Sequence, residues 1–558
     1  MTATRSGARS PARRRDAEHA AELVPTPWPI ALLCGVAGGV ACLVAFPPYG
    51  LWPLLPVSVA LLVAGVMVRS AVLAVLVSLL WGLAFFVPLT VWANTYAGAM
   101  PWIALGIFES LSAVLFGLLA RTVIVRRGLR ASSCLVVAAL WTGVELLRSH
   151  APWGGLPWGT SAYALSESPL LNLGPWIGTA GLALVVGILG MLLLHGVLAL
   201  TGRTRRGLRG VAGVWPLSLA VGLVLVTVVV PLPQNRAPEG RSSMTIAGIQ
   251  GNMDPIDPAT LTMPDGVYEN HLQVTRDTIT TTEEKGEQLE LVVWPEDSTE
   301  YDPRQDPVRS AQLAQASADA GAPLLVGTQT LVGDHERLNN SLLYTADSAD
   351  GDVPYTYAKR HPVPFGEYIP ARSFFRTLTD KVDLVGYDML PGQEVGVMDL
   401  ASITGDEDSA KVGVLICFEI AYDNLVQDTV RDGAEVIVVQ SNTALFGDSD
   451  ESIQQLAQAK VMAVVSGRSV VHVATVGESA IFSPEGRRLS SVGHWEQGAL
   501  LAEVPLRTGI TPAVAAGPWI GIGISAIGLI GLLGALGTRR SALPTPRRRD
   551  RERPRTRS

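Results

Sequence analysis

The chain has 558 residues, 48% of them hydrophobic and only 17% charged, whereas ordinary soluble domains carry about 25% charged residues. The net charge of −7 sums two unlike parts: residues 236–510 hold 42 Asp and Glu against 19 Lys and Arg, a net of −23, and the remainder carries +16. An acidic domain joined to a basic, apolar remainder excludes a simple cytosolic enzyme, a disordered chain and a disulfide-rich secreted module.

Residues 28–231 read as successive apolar runs, each close to the roughly 20 residues that a helix needs to cross a bilayer. Seven are placed at 29–46, 51–68, 70–91, 103–120, 133–147, 176–200 and 211–230, and an eighth at 513–537. Basic residues set the orientation, because Lys and Arg flank spans on the cytoplasmic side. Arg13, Arg14 and Arg15, Arg69, the group Arg121, Arg126, Arg127 and Arg130, the group Arg203, Arg205, Arg206 and Arg209, and Arg539, Arg540 and Arg547 all fall on one side of an eight-span arrangement. That side is the cytoplasm, so both termini are expected inside and residues 232–510 outside. No cleavage site follows the first apolar run, which is read as a retained span rather than a targeting segment. The Arg-rich tails suit anionic headgroups, and no nucleic-acid partner is expected.

Two acids, Glu109 and Glu145, lie inside spans, where a carboxylate is costly: each is either functional or turned into the bundle interior. The loop 150–175 is expected on the outer face. Its Trp153 and Trp158 suit an interfacial belt, and both are also candidate substrate contacts.

From Met244 the pattern changes to short β-rich runs separated by polar helical stretches. Strands are expected at 244–249, 289–294, 324–328, 340–345, 411–416, 434–439 and 469–476, and helices at 268–281, 306–320, 422–431 and 453–466. Such alternation argues for a layered α/β domain. Residues 1–22 and 541–558 are expected to be disordered.

Of the four cysteines, Cys34, Cys42 and Cys134 lie in spans as ordinary small apolar residues. Cys417 is alone in the outer domain, which therefore has no internal disulfide. It closes the apolar run VGVLI, and strand ends are where sites collect in α/β sheets. LELVVWPE likewise ends on Glu296, and YAKRHPVPFGEYIP carries Lys359 and Glu367 after a strand-like aromatic segment. A cysteine nucleophile needs a base, and its tetrahedral intermediate needs a cation or N–H donors. Glu296, Lys359 and Cys417 supply those three chemistries, although each has a plain alternative as a cap, a solvated charge or a core residue.

WPE, YAKRHPVPFGEYIP and ICFE, in that order, resemble the Glu-Lys-Cys set of the nitrilase superfamily. With the seven-plus-one spans, IQGN at 249–252 and the loop SNTALFG at 441–447, the chain from about 28 to 537 resembles the bacterial apolipoprotein N-acyltransferases, and its Arg-over-Lys bias suits their actinobacterial members. The resemblance implies a polytopic helical membrane domain joined to an extracytoplasmic αββα sandwich. The expected division is a basic cytoplasmic tail (1–27), a seven-span domain (28–231), a nitrilase-like catalytic domain (232–510), an eighth span (511–537) and an Arg-rich cytoplasmic tail (538–558).

By the same resemblance Glu296 is base, Lys359 and the Phe418 N–H stabilise the oxyanion, and Cys417 carries the acyl group. Glu367 and Glu419 orient Lys359 and shape the site, and Asn442 is a candidate substrate contact. The implied partners are a phospholipid acyl donor, a diacylated apolipoprotein acceptor and the bilayer; no cofactor or metal is expected, and a monomer is. The chain departs from the family in Phe418, where Tyr is common, and in Thr443 and Leu445, where the loop often carries Asp and Trp. Two other functions fit the same residues: a membrane-tethered amidase with water as acceptor, and a non-catalytic lipoprotein-binding scaffold.

Overall fold

The computed structural model describes residues 24–201, 211–233, 236–256 and 266–538. The basic clusters at 13–15, 203–209 and beyond 538, and both expected disordered tails, lie outside the described residues. Among the described residues, six helical stretches are long and apolar enough to span: Trp28–Ala45, Ala71–Leu89, Ala99–Arg127, Ala131–His150, Pro169–Leu200 and Trp519–Leu536. The other two expected spans form apolar helices too: Leu54–Val66, which has 13 residues, and Val211–Val229, with Pro216 inside. The expected eighth span is broken at Gly517 into Pro512–Ala516 and Trp519–Leu536.

Small residues let these helices touch, which is how apolar helices associate where the surroundings are equally apolar. Gly35 and Gly39 are spaced as GxxxG. A Cβ at Gly35 would lie 2.6 Å from the Val77 carbonyl oxygen, and one at Gly39 would run into the Trp81 carbonyl. The same contact holds a polar tie: Trp81 Nε1 donates to Ser58 Oγ at 3.0 Å, and Ser58 Oγ donates to the Gly38 carbonyl at 2.6 Å.

Both intramembrane acids have partners. Glu109 Oε2 accepts from Arg148 at 3.0 Å, and Arg148 also donates to the carbonyls of Leu156 and Trp158. Glu145 Oε1 accepts from the backbone N–H and hydroxyl of Ser161. Arg148, with Glu109 holding it, and Glu145 therefore tie down the loop 151–173, whose only regular structure is two short 3-10 turns, Tyr163–Leu165 and Pro169–Leu173.

The second half is two stacked sheets. The strands are β1 (Ser243–Gln250), β2 (Leu291–Val293), β3 (Leu324–Val332), β4 (Glu336–Tyr344), β5 (Tyr355–Ala358), β6 (Asp388–Met389), β7 (Val397–Asp399), β8 (Lys411–Ile416), β9 (Val436–Ser441), β10 (Ser469–Ala474), β11 (Ser479–Phe482), β12 (Arg488–Val492) and β13 (Gly498–Pro505). One sheet runs β13-β1-β2-β3-β4-β5 with β6 on β4, the other β12-β11-β10-β9-β8-β7. Side chains alternate across a strand with period two, and the first sheet separates accordingly. Met244, Ile246, Leu291, Val293, Leu325 and Leu343 enter the core between the sheets. Ala247, Ile249, Val292, Trp294, Leu324, Val326 and Leu342 pack beneath helices Val267–Lys285 and Pro307–Ala320.

Helices Asp423–Arg431 and Glu451–Ser466 cover the second sheet, which completes an αββα sandwich, and Glu451–Ser466 also packs on helix Gly174–Leu200 of the apolar half. All seven expected strands and four expected helices are present. The six unanticipated strands are short, or polar, or antiparallel edge additions with little periodic signal; Arg488–Val492 is largely solvent-facing.

Gly39→Leu forces side-chain volume into a backbone contact, and overpacking costs about 1–3 kcal/mol. It should lower the melting temperature of the purified protein in detergent, while Gly523→Leu, which has open space around its Cα, should leave it unchanged.

Candidate active site

Three chain segments end at one point. Glu296 lies just past the C-terminal end of β2, Lys359 immediately follows β5, and Cys417 immediately follows β8. Close approach is needed where β3 passes Glu296: a Cβ on Gly327 would lie 2.7 Å from the Glu296 Cα. All three side chains are buried, with Glu296, Lys359 and Cys417 at 3%, 0% and 4% exposure.

Lys359 Nζ donates to Glu296 Oε1 at 3.1 Å and to Glu367 Oε1 at 2.5 Å. Burial alone would push this ammonium toward neutrality, but the two carboxylates and the nearby Cys417 outweigh it and hold Lys359 well above the ordinary lysine range. Glu367 is itself fixed, since its Oε2 accepts from the Val363 N–H. Glu296 takes two more donors, Asn339 Nδ2 at 2.6 Å on Oε1 and the Asn442 N–H at 2.9 Å on Oε2. Burial raises its acid to about 7, with the charges of Asp297 and Glu367 adding to the effect; Lys359 and a hydrogen bond with the Cys417 side chain oppose it. An acid at that position titrates near neutral pH, where a proton acceptor is most useful.

Cys417 adopts φ +53°, a left-handed conformation that costs a side-chain-bearing residue on the order of 1–3 kcal/mol and clusters at functional sites. Glu419 holds this turn. Its carboxylate accepts from the Ile416 N–H at 2.8 Å, the Arg360 N–H at 2.7 Å, the His361 N–H at 3.1 Å and the Tyr357 hydroxyl at 2.9 Å. One carboxylate thereby fastens the Cys417 turn to the segment carrying Lys359. Burial first, then the negative charge of Glu296, pushes the Cys417 thiol well up, with Lys359 pulling the other way, so the resting site holds a thiol beside a near-neutral acid rather than a preformed thiolate.

A second layer was not anticipated from sequence. Gln455 Nε2 lies 3.5 Å from Cys417 Sγ, and its Oε1 accepts from Ser441 Oγ at 2.6 Å and faces His472 Nε2 at 3.0 Å. Burial lowers the His472 pKa to about 4, so the ring is neutral and its Nε2–H suits that acceptor. The available signal was the pair Gln454-Gln455 within a largely apolar helical run. Gln454 Oε1 accepts from Trp158 Nε1 at 2.6 Å.

The remaining candidates separate. Asn442 sits against the reacting groups: its N–H holds Glu296 and its Nδ2 donates to Asp297. Trp158 is 1% exposed and stacks on the Phe418 ring at 4.8 Å, so the belt-anchor expectation for it gives way to a place inside the junction of the two halves. The Arg148 hydrogen bond to its carbonyl pulls it there. Trp153 remains 44% exposed, edge-on to Phe365 and Phe375. Trp92 packs on Trp158, Phe418 and Phe446; it comes from the short helix Trp92–Ala97, which falls between the expected spans 70–91 and 103–120, where no helix is expected from sequence.

The fold is a nitrilase-type sandwich set against a bundle of membrane-length helices, with Glu296, Lys359 and Cys417 brought together at its strand ends. Residues 38–192 match the family described as apolipoprotein N-acyltransferase N-terminal domain, and residues 255–510 match carbon-nitrogen hydrolase. An apolipoprotein N-acyltransferase from Mycolicibacterium smegmatis is 32% identical over 87% of this chain and 82% of its own length, and one from Geobacter metallireducens is 27% identical over 86% and 90%. The chain belongs to the apolipoprotein N-acyltransferase family. Among solved structures, an amidase from Nesterenkonia sp. aligns at 18% identity and TM-score 0.34 over 48% of this chain and 92% of that one.

Glu419→Gln keeps the shape but turns an NH₂ toward backbone donors, and each orphaned buried donor costs about 1–3 kcal/mol. The variant should melt several degrees lower and lose Cys417 reactivity toward an alkylating reagent, whereas exposed Glu407→Gln should change neither.

Proposed function

We propose that this protein transfers a fatty acyl group from a membrane phospholipid, through a Cys417 thioester, to the α-amine of an S-diacylglyceryl-cysteine lipoprotein. The observation that carries the reading is the Lys359 ammonium between Glu296 and Glu367 beside Cys417, at the edge of the apolar half.

In the first step Glu296 takes the thiol proton and Cys417 Sγ attacks the ester carbonyl. Lys359 and the Phe418 N–H stabilise the oxyanion as it develops; such preorganised donors act strongly where water is excluded. The C–O bond breaks and Glu296 returns its proton to the lysophospholipid oxygen, leaving the acyl group on sulfur. In the second step the acceptor amine attacks the thioester. The C–N bond forms, the C–S bond breaks, and Glu296 passes the released proton to the departing thiolate. Glu367 orients Lys359, Glu419 holds the nucleophile turn, and Asn442 holds the base.

In this reading residues 232–510 lie on the extracytoplasmic face of the cell membrane with both termini in the cytoplasm, as the basic clusters indicate. The helices of 28–231 keep the acyl chains in hydrocarbon, where each CH₂ otherwise exposed costs about 0.8 kcal/mol.

Intact mass after incubation with phospholipid should give a hydroxylamine-labile, acyl-sized gain on the wild type and none on Cys417→Ser. A folded wild type that gains no mass across varied donors removes the thioester and favours hydrolysis of small amides or mere binding. The rate of acylation should also depend on pH. Glu296 has its acid raised to about 7, so it is protonated and unable to take a proton below that value and becomes competent above it. Single-turnover acylation should therefore climb as pH rises through about 7, and Glu296→Gln should be slower by about a hundredfold or more, without that limb.

A further inference from the structure

Glu451 opens the helix Glu451–Ser466 and is 0% exposed, and neither oxygen of its carboxyl group has a hydrogen-bond partner among the described residues. Buried carboxyl groups ordinarily have partners, and leaving one without is costly. Residues four apart on a helix share a face, so Glu451 lies one turn from Gln455, whose amide reaches Cys417 Sγ. The Thr443 hydroxyl is a second buried group without a partner among the described residues; it follows Asn442, whose N–H holds Glu296. Two unsatisfied polar groups thus lie close to the residues around Cys417 and Glu296, and no step assigned above uses either.

The geometry points to Glu451 as the binding group for a primary ammonium of the substrate. A carboxyl group with both oxygens unpartnered calls for several N–H donors converging on it, which an ammonium brings and an ester or acyl chain does not. Burial, reinforced by the negative charge of Glu296, pushes the Glu451 acid well above the usual carboxylate range, so an incoming cation also relieves an otherwise unfavourable ionisation. Two substrates of the proposed reaction offer such a group: the α-amine of the acceptor and the ethanolamine headgroup of a donor phospholipid. The inference rests on the acyl-transfer reading for the identity of those substrates.

Binding to the Cys417→Ser protein, which cannot turn over, separates the possibilities. One pair of probes is a diacylglyceryl-cysteine peptide with a free amine and its N-acetyl counterpart; the other is phosphatidylethanolamine and phosphatidylglycerol in detergent micelles. The free-amine member of at least one pair should bind about tenfold tighter, the scale of a hydrogen bond to a charged group. Adding Glu451→Gln should abolish that preference and adding Glu451→Asp should retain part of it. A preference confined to the peptides assigns Glu451 to the acceptor, and one confined to the lipids assigns it to the donor headgroup. Equal preference with and without Glu451→Gln, or no preference in either pair, overturns the inference. Loss of acyl-enzyme in the wild type alongside a Glu451-dependent amine preference would sink the acyl-transfer reading while leaving the amine site standing.

Discussion

An ammonium group with no exposed surface must find its counter-charge inside the protein, and most of the architecture around Lys359 follows from that need. A lone buried charge is expensive enough to neutralise itself; Lys359 stays cationic because Glu296 and Glu367 both reach it. That requirement brings β2, β5 and the loop after β5 to one point. It also sets the acid of Glu296: burial first, and the negative charges of Asp297 and Glu367 beside it, make this carboxylate keep a proton more readily than an exposed one, against the pull of Lys359. The pair therefore gives a fixed cation and a group that exchanges a proton near neutrality.

Cys417 is held by a different device. Cys417 belongs to the second sheet and Lys359 to the first, and the sheets meet mainly through apolar side chains that offer little directional control. Glu419 supplies it by taking donors from both sides: Ile416 on the Cys417 strand, and Arg360, His361 and Tyr357 around Lys359. The left-handed backbone at Cys417 is the local cost of turning its sulfur toward Glu296. Gln455, fixed by Ser441 and His472, faces the same sulfur from the helix that also touches the apolar half.

How much of this the sequence discloses depends on whether the signal is local. WPE, YAKRHPVPFGEYIP and ICFE are short, and each places one ionisable residue just past a strand, so Glu296, Lys359 and Cys417 are legible as candidates, whereas Glu367 and Glu419 gain roles only through the family resemblance. The spans were legible from composition, but not their ends: Ala99–Arg127 carries three arginines in its final turns, which truncated the sequence-based span. What sequence could not disclose are contacts between distant segments. Trp158 reads as a belt tryptophan until Arg148 and Gln454 draw it inward. Gln455 and His472 carry no motif and acquire meaning only when a helix and a strand from the second sheet converge on one sulfur. The edge strands escaped for a related reason, being defined by pairing rather than by periodicity.

Phe418 joins these levels. In the chain it is only the residue after the nucleophile, yet its ring stacks on Trp158 and meets Trp92 and Phe446. Trp158 is held by Arg148, and Arg148 by Glu109 within a membrane-length helix. The links are packed rings, a buried hydrogen bond from Arg148 to the Trp158 carbonyl and a buried charge pair, and aromatic pairs add about 0.5–1.5 kcal/mol beyond their burial. The path from an intramembrane carboxylate to the backbone beside Cys417 is thus continuous, and it gives the costly acids inside the spans a structural role: they anchor the loop on which Phe418 rests. A sandwich of this kind standing alone would leave the Phe418 ring exposed to water. Here the apolar half covers it, and the position of the Cys417 turn becomes a joint property of both halves of the chain.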